Sequence, residues 1–229
     1  MIVVIGSPLL APGTGPERAQ GLCSSIARAA AQGGAAVQLV GKVGDDPDGD
    51  AVLLALAQAG IGHVAVLRDP AHRTPRASVL TDAVVAPDST AVGAGASVAA
   101  AMAQLEAGTP TDTPPPERLP LEAADVELAL RYLVDYRVVV VAELLGDAAG
   151  RVVADAAAFA SAETIVVVQP GFPPPATLAA ATVLEGPDDD EGPFAELIGR
   201  LAAALDRGEP PAGALEAAIG AVGWEPVEA

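Results

Sequence analysis

The stretch 36–60, AVQLVGKVGDDPDGDAVLLALAQAG, contains one complete strand–turn–helix unit. Its apolar beginning predicts a strand over Ala36–Val40. Its alanine- and leucine-rich second half predicts a helix over Gly49–Ala59, with Gly60 in the position of a C-terminal helix glycine. A strand that turns directly into a helix is typical of α/β proteins.

The corner of this unit, GKVGDDPDGD over residues 41–50, is rich in glycine and aspartate. Aspartates before a helix accept hydrogen bonds from its first N–H groups, and acids in the first turn suit the positive end of the helix dipole. A calcium loop is the alternative, but it needs a glutamate at its twelfth position, where the chain has Ala51, Val52 and Leu53. We therefore interpret the corner as a turn and a helix cap, without metal.

The same alternation extends outward along the chain. The predicted strands are Ile2–Gly6, Ala36–Val40, His63–Leu67, Ala77–Val85, Val138–Ala142 and Thr164–Val168. The predicted helices are Glu17–Gln32, Gly49–Ala59, Ser97–Glu106, Ala123–Tyr132, Ala148–Ala160, Phe194–Asp206 and Ala212–Val222. This order predicts a three-layer α/β/α sandwich with a mostly parallel central sheet, as one domain over residues 1–229. The proline-rich segment 107–120 is predicted to be a surface loop.

The charge and composition of the chain exclude some classes of binding partner. The net charge is −18, from 30 acidic and 12 basic residues, and this repels nucleic acid. No apolar run is long enough for a membrane span, and the start MIVVIGSPLL lacks the basic region of a signal peptide, so we expect a cytoplasmic protein. Cys23 is the only cysteine, so we expect a small buried thiol and no His/Cys metal cluster.

The corner also carries a family resemblance. Gly41, Gly44, Asp46, Gly49 and Thr74 have the spacing of the early segment of PfkB-type carbohydrate kinases, the ribokinase superfamily. The segment resembles that family most over 27–80, and the last two predicted helices resemble its closing helix pair. The resemblance implies a ribokinase-like fold and transfer of a phosphoryl group from ATP to a sugar hydroxyl.

By this resemblance, Ser25, Asp46 and Thr74 are expected to contact the substrate. The cations Lys42 and Arg73 flank the best-matched region and are further candidates, because they suit an anionic ligand. Ser25 stands where the family has an asparagine, and a hydroxyl cannot offer the paired donor and acceptor of an amide. The sugar-binding aspartate that the family has after the first strand is absent from GSPLLAPGTG. For the cations Lys42 and Arg73, the alternative is that they only offset neighbouring acids.

The nucleotide end departs further from the family. Gly186 and Gly192 lie where the family's Gly-Ala-Gly-Asp loop is expected, and they are the candidate nucleotide-binding residues. Gly192 takes the place of the catalytic base, so only Asp190 or Glu191 remain as substitutes. The carboxylates of 188–191 repel phosphate, and Pro193 has no N–H to offer it. The strands that carry the family's nucleotide elements are missing, and no clear lid is evident.

We therefore expect a catalytically degenerate, trimmed relative of these kinases that binds a small polar ligand or a protein partner, without a cofactor. One alternative is an active, divergent sugar or nucleoside kinase that uses ATP and Mg²⁺. Another is a structural or regulatory subunit, such as one half of a homo-oligomer.

Overall fold

Residues 1–11, 18–77, 118–186 and 192–223 are described by the structure, a computed structural model. Within these ranges the strands are β1 (Ile2–Ile5), β2 (Leu9–Leu10), β3 (Ala19–Gln20), β4 (Val37–Gly44), β5 (Gly62–Asp69), β6 (Val138–Val141), β7 (Glu163–Val168) and β8 (Thr182–Glu185). The helices are α1 (Leu22–Gln32), α2 (Pro47–Gln58), α3 (Ala123–Tyr132), α4 (Asp147–Ala160), α5 (Pro193–Asp206) and α6 (Pro211–Val222).

Six of the strands form one parallel sheet in the order β5-β4-β1-β6-β7-β8. β1 lies at its centre, where Ile2 is paired with Val37 on one side and with Val138 on the other. Both β1 and β6 consist only of Val and Ile and are buried throughout, as expected for strands covered on both faces. β2 and β3 form a separate antiparallel pair.

Alternate residues of the strands belong to two apolar cores, one on each face of the sheet. Ile2 and Val4 pack with α1, α2, α5 and α6. Val3 and Ile5 pack with α3 and α4 on the opposite face. The predicted three-layer α/β/α sandwich with a mostly parallel sheet is confirmed.

Three features differ from the sequence prediction. Helix α1 begins at Leu22 instead of Glu17, because Ala19 and Gln20 pair with β2 and leave the chain extended up to Gly21. Strand β4 continues through the glycines of the corner to Gly44. The strands β2, β3 and β8 were missed, since each has only two to four residues and no alternating pattern to reveal it.

Several predictions fall on residues outside the described ranges. They are the strand Ala77–Val85 beyond its first residue, the helix Ser97–Glu106, the loop 107–120 up to residue 117, and both Asp190 and Glu191. Leu119, which follows that loop segment, is buried. Among the helices of the described ranges, none combines the length and apolar character that a bilayer crossing requires.

Candidate functional site

The candidate site lies at the carboxyl ends of β1 and β6. From β1 the chain builds the sheet outward through β4 and β5, and from β6 it builds in the opposite direction through β7 and β8. Neighbouring strands whose connections leave in opposite directions open a crevice at their carboxyl ends, which is where open α/β sheets bind ligands. Ser7 follows β1, and Glu143 follows β6.

Ser7 and Glu143 meet in this crevice. The backbone N–H of Ser7 donates to Glu143 Oε2 at 2.8 Å, and Ser7 Oγ donates to the carbonyl oxygen of Leu119 at 2.9 Å. Burial raises the pKa of Glu143, although the hydrogen bonds from Ser7 and the charge of Arg118 act in the opposite direction. Glu143 was missed in the sequence, where the available signal was an acid two residues after a run of four buried valines.

Helix α1 forms the wall of the crevice beside β1. A Cβ on Gly6 would lie 2.8 Å from Cys23 Cβ, so the glycine allows α1 to approach the strand closely. Burial, followed by the charge of Glu143, raises the pKa of Cys23 to about 12, so the thiol is not available as a nucleophile. It is the buried thiol that the sequence predicted.

Ser25, a predicted substrate residue, lies in the first turn of α1. Its hydroxyl is buried and has no hydrogen-bond partner among the described residues. Its N-cap residue is Gly21, which offers no side-chain cap, and its first turn contains no acidic residue. The first turn of α1 thus offers hydrogen-bond capacity that the described part of the chain does not use.

Asp46 and Thr74, two further predicted substrate residues, bind each other. Asp46 Oδ1 accepts from Gly49 N at 2.8 Å and from Thr74 Oγ1 at 2.7 Å, and Asp46 Oδ2 accepts from Thr74 N at 2.9 Å. Thr74 Oγ1 in turn accepts from Gly44 N at 2.9 Å. Burial alone would raise the pKa of Asp46, but the hydrogen bonds from Thr74 and Gly49 outweigh it and lower the pKa. This geometry gives the pair a structural role in the corner.

The glycines of the corner are required by the same contacts. A Cβ on Gly44 would lie 2.5 Å from Thr74 N and 2.6 Å from His72 O. A Cβ on Gly49 would overlap the carbonyl oxygen of Gly44. The helix cap predicted for this corner is confirmed, with Asp46 as the N-cap residue of α2.

The remaining acids of the corner pair with arginines. Arg68 binds both Asp45 and Asp50, and Arg76 Nε donates to Asp48 Oδ2 at 2.7 Å. Within the described ranges, no group of three His, Cys, Asp or Glu side chains is placed to hold a metal ion.

The two predicted cations of the substrate site behave differently. Lys42 Nζ lies 2.6 Å from Asp125 Oδ2 of α3, so it offsets a neighbouring acid. Arg73 is exposed, and its charge contributes to the lowered pKa of Asp46. Neither residue lies at the carboxyl ends of β1 and β6.

Gly186 and Gly192 flank the N-terminus of α5. The ring of Phe194 lies directly against Gly186, in the space that a Cβ would need. Gly192 is the N-cap residue of α5, without a side-chain cap. Of the first amides of the helix, Pro193 has none and Ala195 N already donates to Gly192 O at 3.1 Å.

The predicted site residues therefore fall into separate groups. Asp46, Arg73 and Thr74 lie beyond the ends of β4 and β5, and Gly186 lies at the end of β8. β4 and β8 are four strand spacings apart, about 19 Å at ~4.8 Å per spacing. Glu143 lies between these two groups at the end of β6, and Ser25 lies in the first turn of α1, which packs beside Gly6 at the end of β1.

Comparison with known proteins agrees with this architecture. The model of the pfkB family carbohydrate kinases matches residues 21–111. This stretch includes α1, β4, the Asp46 corner and Thr74. Over this stretch the chain is similar to the PfkB family. The PfkB resemblance predicted from the sequence is thus confirmed where it was strongest.

Solved structures of similar fold extend over nearly the whole PfkB-like chain. The Arabidopsis thaliana ribokinase complexed with ribose and ATP is 15% identical, with a TM-score of 0.60, and the match covers 96% of this chain and 90% of that one. A carbohydrate kinase from Agrobacterium tumefaciens is 13% identical with a TM-score of 0.58, covering 96% and 89%. A PfkB protein from Polaromonas is 16% identical with a TM-score of 0.56, covering 95% and 92%. At these identities the likeness establishes the ribokinase-like fold. No curated protein matches the chain significantly.

Proposed function

We propose that the protein is a PfkB homologue that binds a small polar ligand in the β1/β6 crevice and does not transfer a phosphoryl group. The absence of phosphoryl transfer is supported by the structure at the start of α5. A helix N-terminus binds phosphate through its free amides, and here Pro193 has no amide hydrogen while Ala195 N is already bonded to Gly192 O. The sequence adds the carboxylates of 188–191 immediately before the helix. These features weaken anion binding at this point and, with it, the stabilisation of a transferring phosphoryl group.

The ligand-binding half of the proposal is supported by one group at the end of β6 and one in the first turn of α1, which packs beside the end of β1. Glu143 supplies a carboxylate, and Ser25 supplies a buried hydroxyl with no partner in the described part of the chain. An unsatisfied buried hydroxyl costs about 1–3 kcal/mol, which a ligand oxygen at hydrogen-bond distance would recover. Carboxylate and hydroxyl groups together suit a polyhydroxylated ligand. Ribose is the first probe, because a ribokinase of the same fold has been crystallised with it.

Two measurements test the proposal. The purified protein is incubated with ATP, Mg²⁺ and a panel of pentoses, hexoses and nucleosides, and ADP release is followed with an active ribokinase as positive control. We expect no ADP above the enzyme-free background. Thermal unfolding with the same panel, ribose first, is expected to show stabilisation by at least one of these compounds and none by ATP.

Matched variants locate the binding. Glu143→Gln removes the crevice carboxylate, whereas Glu163→Gln removes an exposed one at the amino end of β7. We expect the ligand-induced shift to be lost only in Glu143→Gln. Turnover above background would instead establish the active-kinase alternative, and the absence of any shift across the panel would contradict ligand binding in the crevice.

A further inference from the structure

Helices α3 and α4 pack on the sheet face to which Val3 and Ile5 point, and an apolar groove lies between the two helices. The groove has a volume of about 810 Å³. Its apolar lining consists of Leu130, Leu133, Val134, Val152, Ala156, Phe159 and Ala160. We call it the α3/α4 groove. It lies on the sheet face opposite to α1 and α5, so it is separate from the crevice described above.

Large apolar side chains are exposed along this groove. Of the residues that line it, Phe159 is 94% exposed and Val134 is 68% exposed. Exposed large apolar side chains beside an apolar groove mark an interaction surface. Its lining extends over residues 127–136 and 152–160, along both helices, so the groove suits an elongated partner.

The charges at the groove indicate the chemistry of that partner. Glu127 and Arg131 of α3 neutralise each other through an ion pair of 2.7 Å. Asp135 and Asp155 also line the groove, and neither has an ion-pair partner among the described residues. The net charge of the whole chain has the same sign, at −18. This field attracts a basic partner and repels a second copy of the chain.

We propose that the α3/α4 groove binds an amphipathic helix of another protein, with an apolar stripe flanked by lysine or arginine. Two neighbouring helices with an apolar groove between them accept a third helix through residues spaced three and four apart. Phe159 is the central apolar contact of this docking surface. Asp135 and Asp155 face the basic flanks.

The probe is a fluorescently labelled peptide of about 18 residues, long enough to form a helix, with leucines on one face and lysines on the other. One control peptide has the lysines replaced by glutamate, and another has the same composition in scrambled order. Binding is measured by fluorescence anisotropy to the wild-type protein and to Phe159→Ala. The control variant is Phe172→Ala, whose side chain is 53% exposed outside the groove.

We expect the leucine–lysine peptide to bind at least ~10-fold more weakly to Phe159→Ala and unchanged to Phe172→Ala, as for truncation of a central aromatic contact. The double variant Asp135→Asn/Asp155→Asn is expected to bind several-fold more weakly, with less dependence on salt. Both phenylalanines are exposed, so their loss leaves no cavity. Equal binding of the glutamate or scrambled peptide, or an unchanged affinity in Phe159→Ala, would overturn the proposal. So would light scattering that shows a dimer which Phe159→Ala dissociates, since the occupant would then be a second copy.

Discussion

Replacement of Asp46 by alanine separates a structural role from a ligand-binding role at the family motif. The substitution removes the helix cap on Gly49 N, which is worth about 1 kcal/mol. It also removes the two hydrogen bonds from Thr74, each worth about 1–1.5 kcal/mol because the acceptor is only partly buried, and leaves the buried Thr74 donors without their acceptor. We therefore expect Asp46→Ala to lower the free energy of unfolding by roughly 3–4 kcal/mol. Against a typical total of about 5–15 kcal/mol, this is a large fraction.

The assay is urea unfolding followed by far-UV circular dichroism, with Asp48→Ala as the control. Asp48 lies in the same corner, but its bond to Arg76 is exposed, so its loss should cost at most about 1 kcal/mol. Asp46→Asn retains an acceptor oxygen and should fall between the two. A destabilisation by Asp46→Ala no larger than that by Asp48→Ala would refute the structural role. Loss of ligand binding at unchanged stability would instead return Asp46 to the substrate site.

Three further outcomes are expected. Because burial raises the pKa of Glu143 above its usual 4.5, the native state holds the proton of this carboxyl more tightly than the unfolded state does. The free energy of unfolding therefore decreases as the pH rises from about 4.5 through the raised pKa. Urea midpoints measured across this window should fall with pH less steeply in Glu143→Gln than in the wild type. Cys23, with a pKa of about 12 and a buried side chain, should resist a thiol reagent in the native protein and react fully in urea, and rapid native labelling would contradict the packing of α1 on Gly6. Gly199→Ala places a Cβ 2.5 Å from Ala29 Cβ and should lower the free energy of unfolding by about 1–3 kcal/mol in the same assay. Gly220 on α6 has open space around it, so Gly220→Ala should raise the free energy of unfolding by about 0.5–1 kcal/mol.

Much of the fold was predictable because its signals are local. Both ends of the helix Ala123–Tyr132 were predicted correctly. Of the five predicted strands that the structure describes, four begin and end within three residues of the predicted positions. The start of α1 was not predictable, because Ala19 and Gln20 favour a helix by propensity and are held extended only by pairing with Leu9 and Leu10. β8 was missed because its four residues form a strand only through their pairing with β7, which no local pattern indicates.

The candidate site was less predictable than the fold. The motif spacing led to Asp46 and Thr74, yet it could not distinguish a ligand-binding pair from a pair that closes a corner. Glu143 was missed because a single acid after a strand carries no pattern of its own. Its position beside Ser7 depends on β1 and β6 being neighbours, although 136 residues separate Ser7 from Glu143 in the chain. The predicted cytoplasmic location and the absence of nucleic-acid partners stay predictions.

The amino-acid sequence by itself determined the alternation of strands and helices, the capped Asp46 corner and the resemblance to the PfkB family, because each depends on residues close together along the chain. The tertiary structure alone decided that Ser7 and Glu143 share a crevice, that Lys42 is occupied by Asp125, and that Phe159 is left exposed beside an apolar groove. These outcomes depend on strand order and helix packing. Both are set by contacts between segments far apart in the sequence, which no local pattern records.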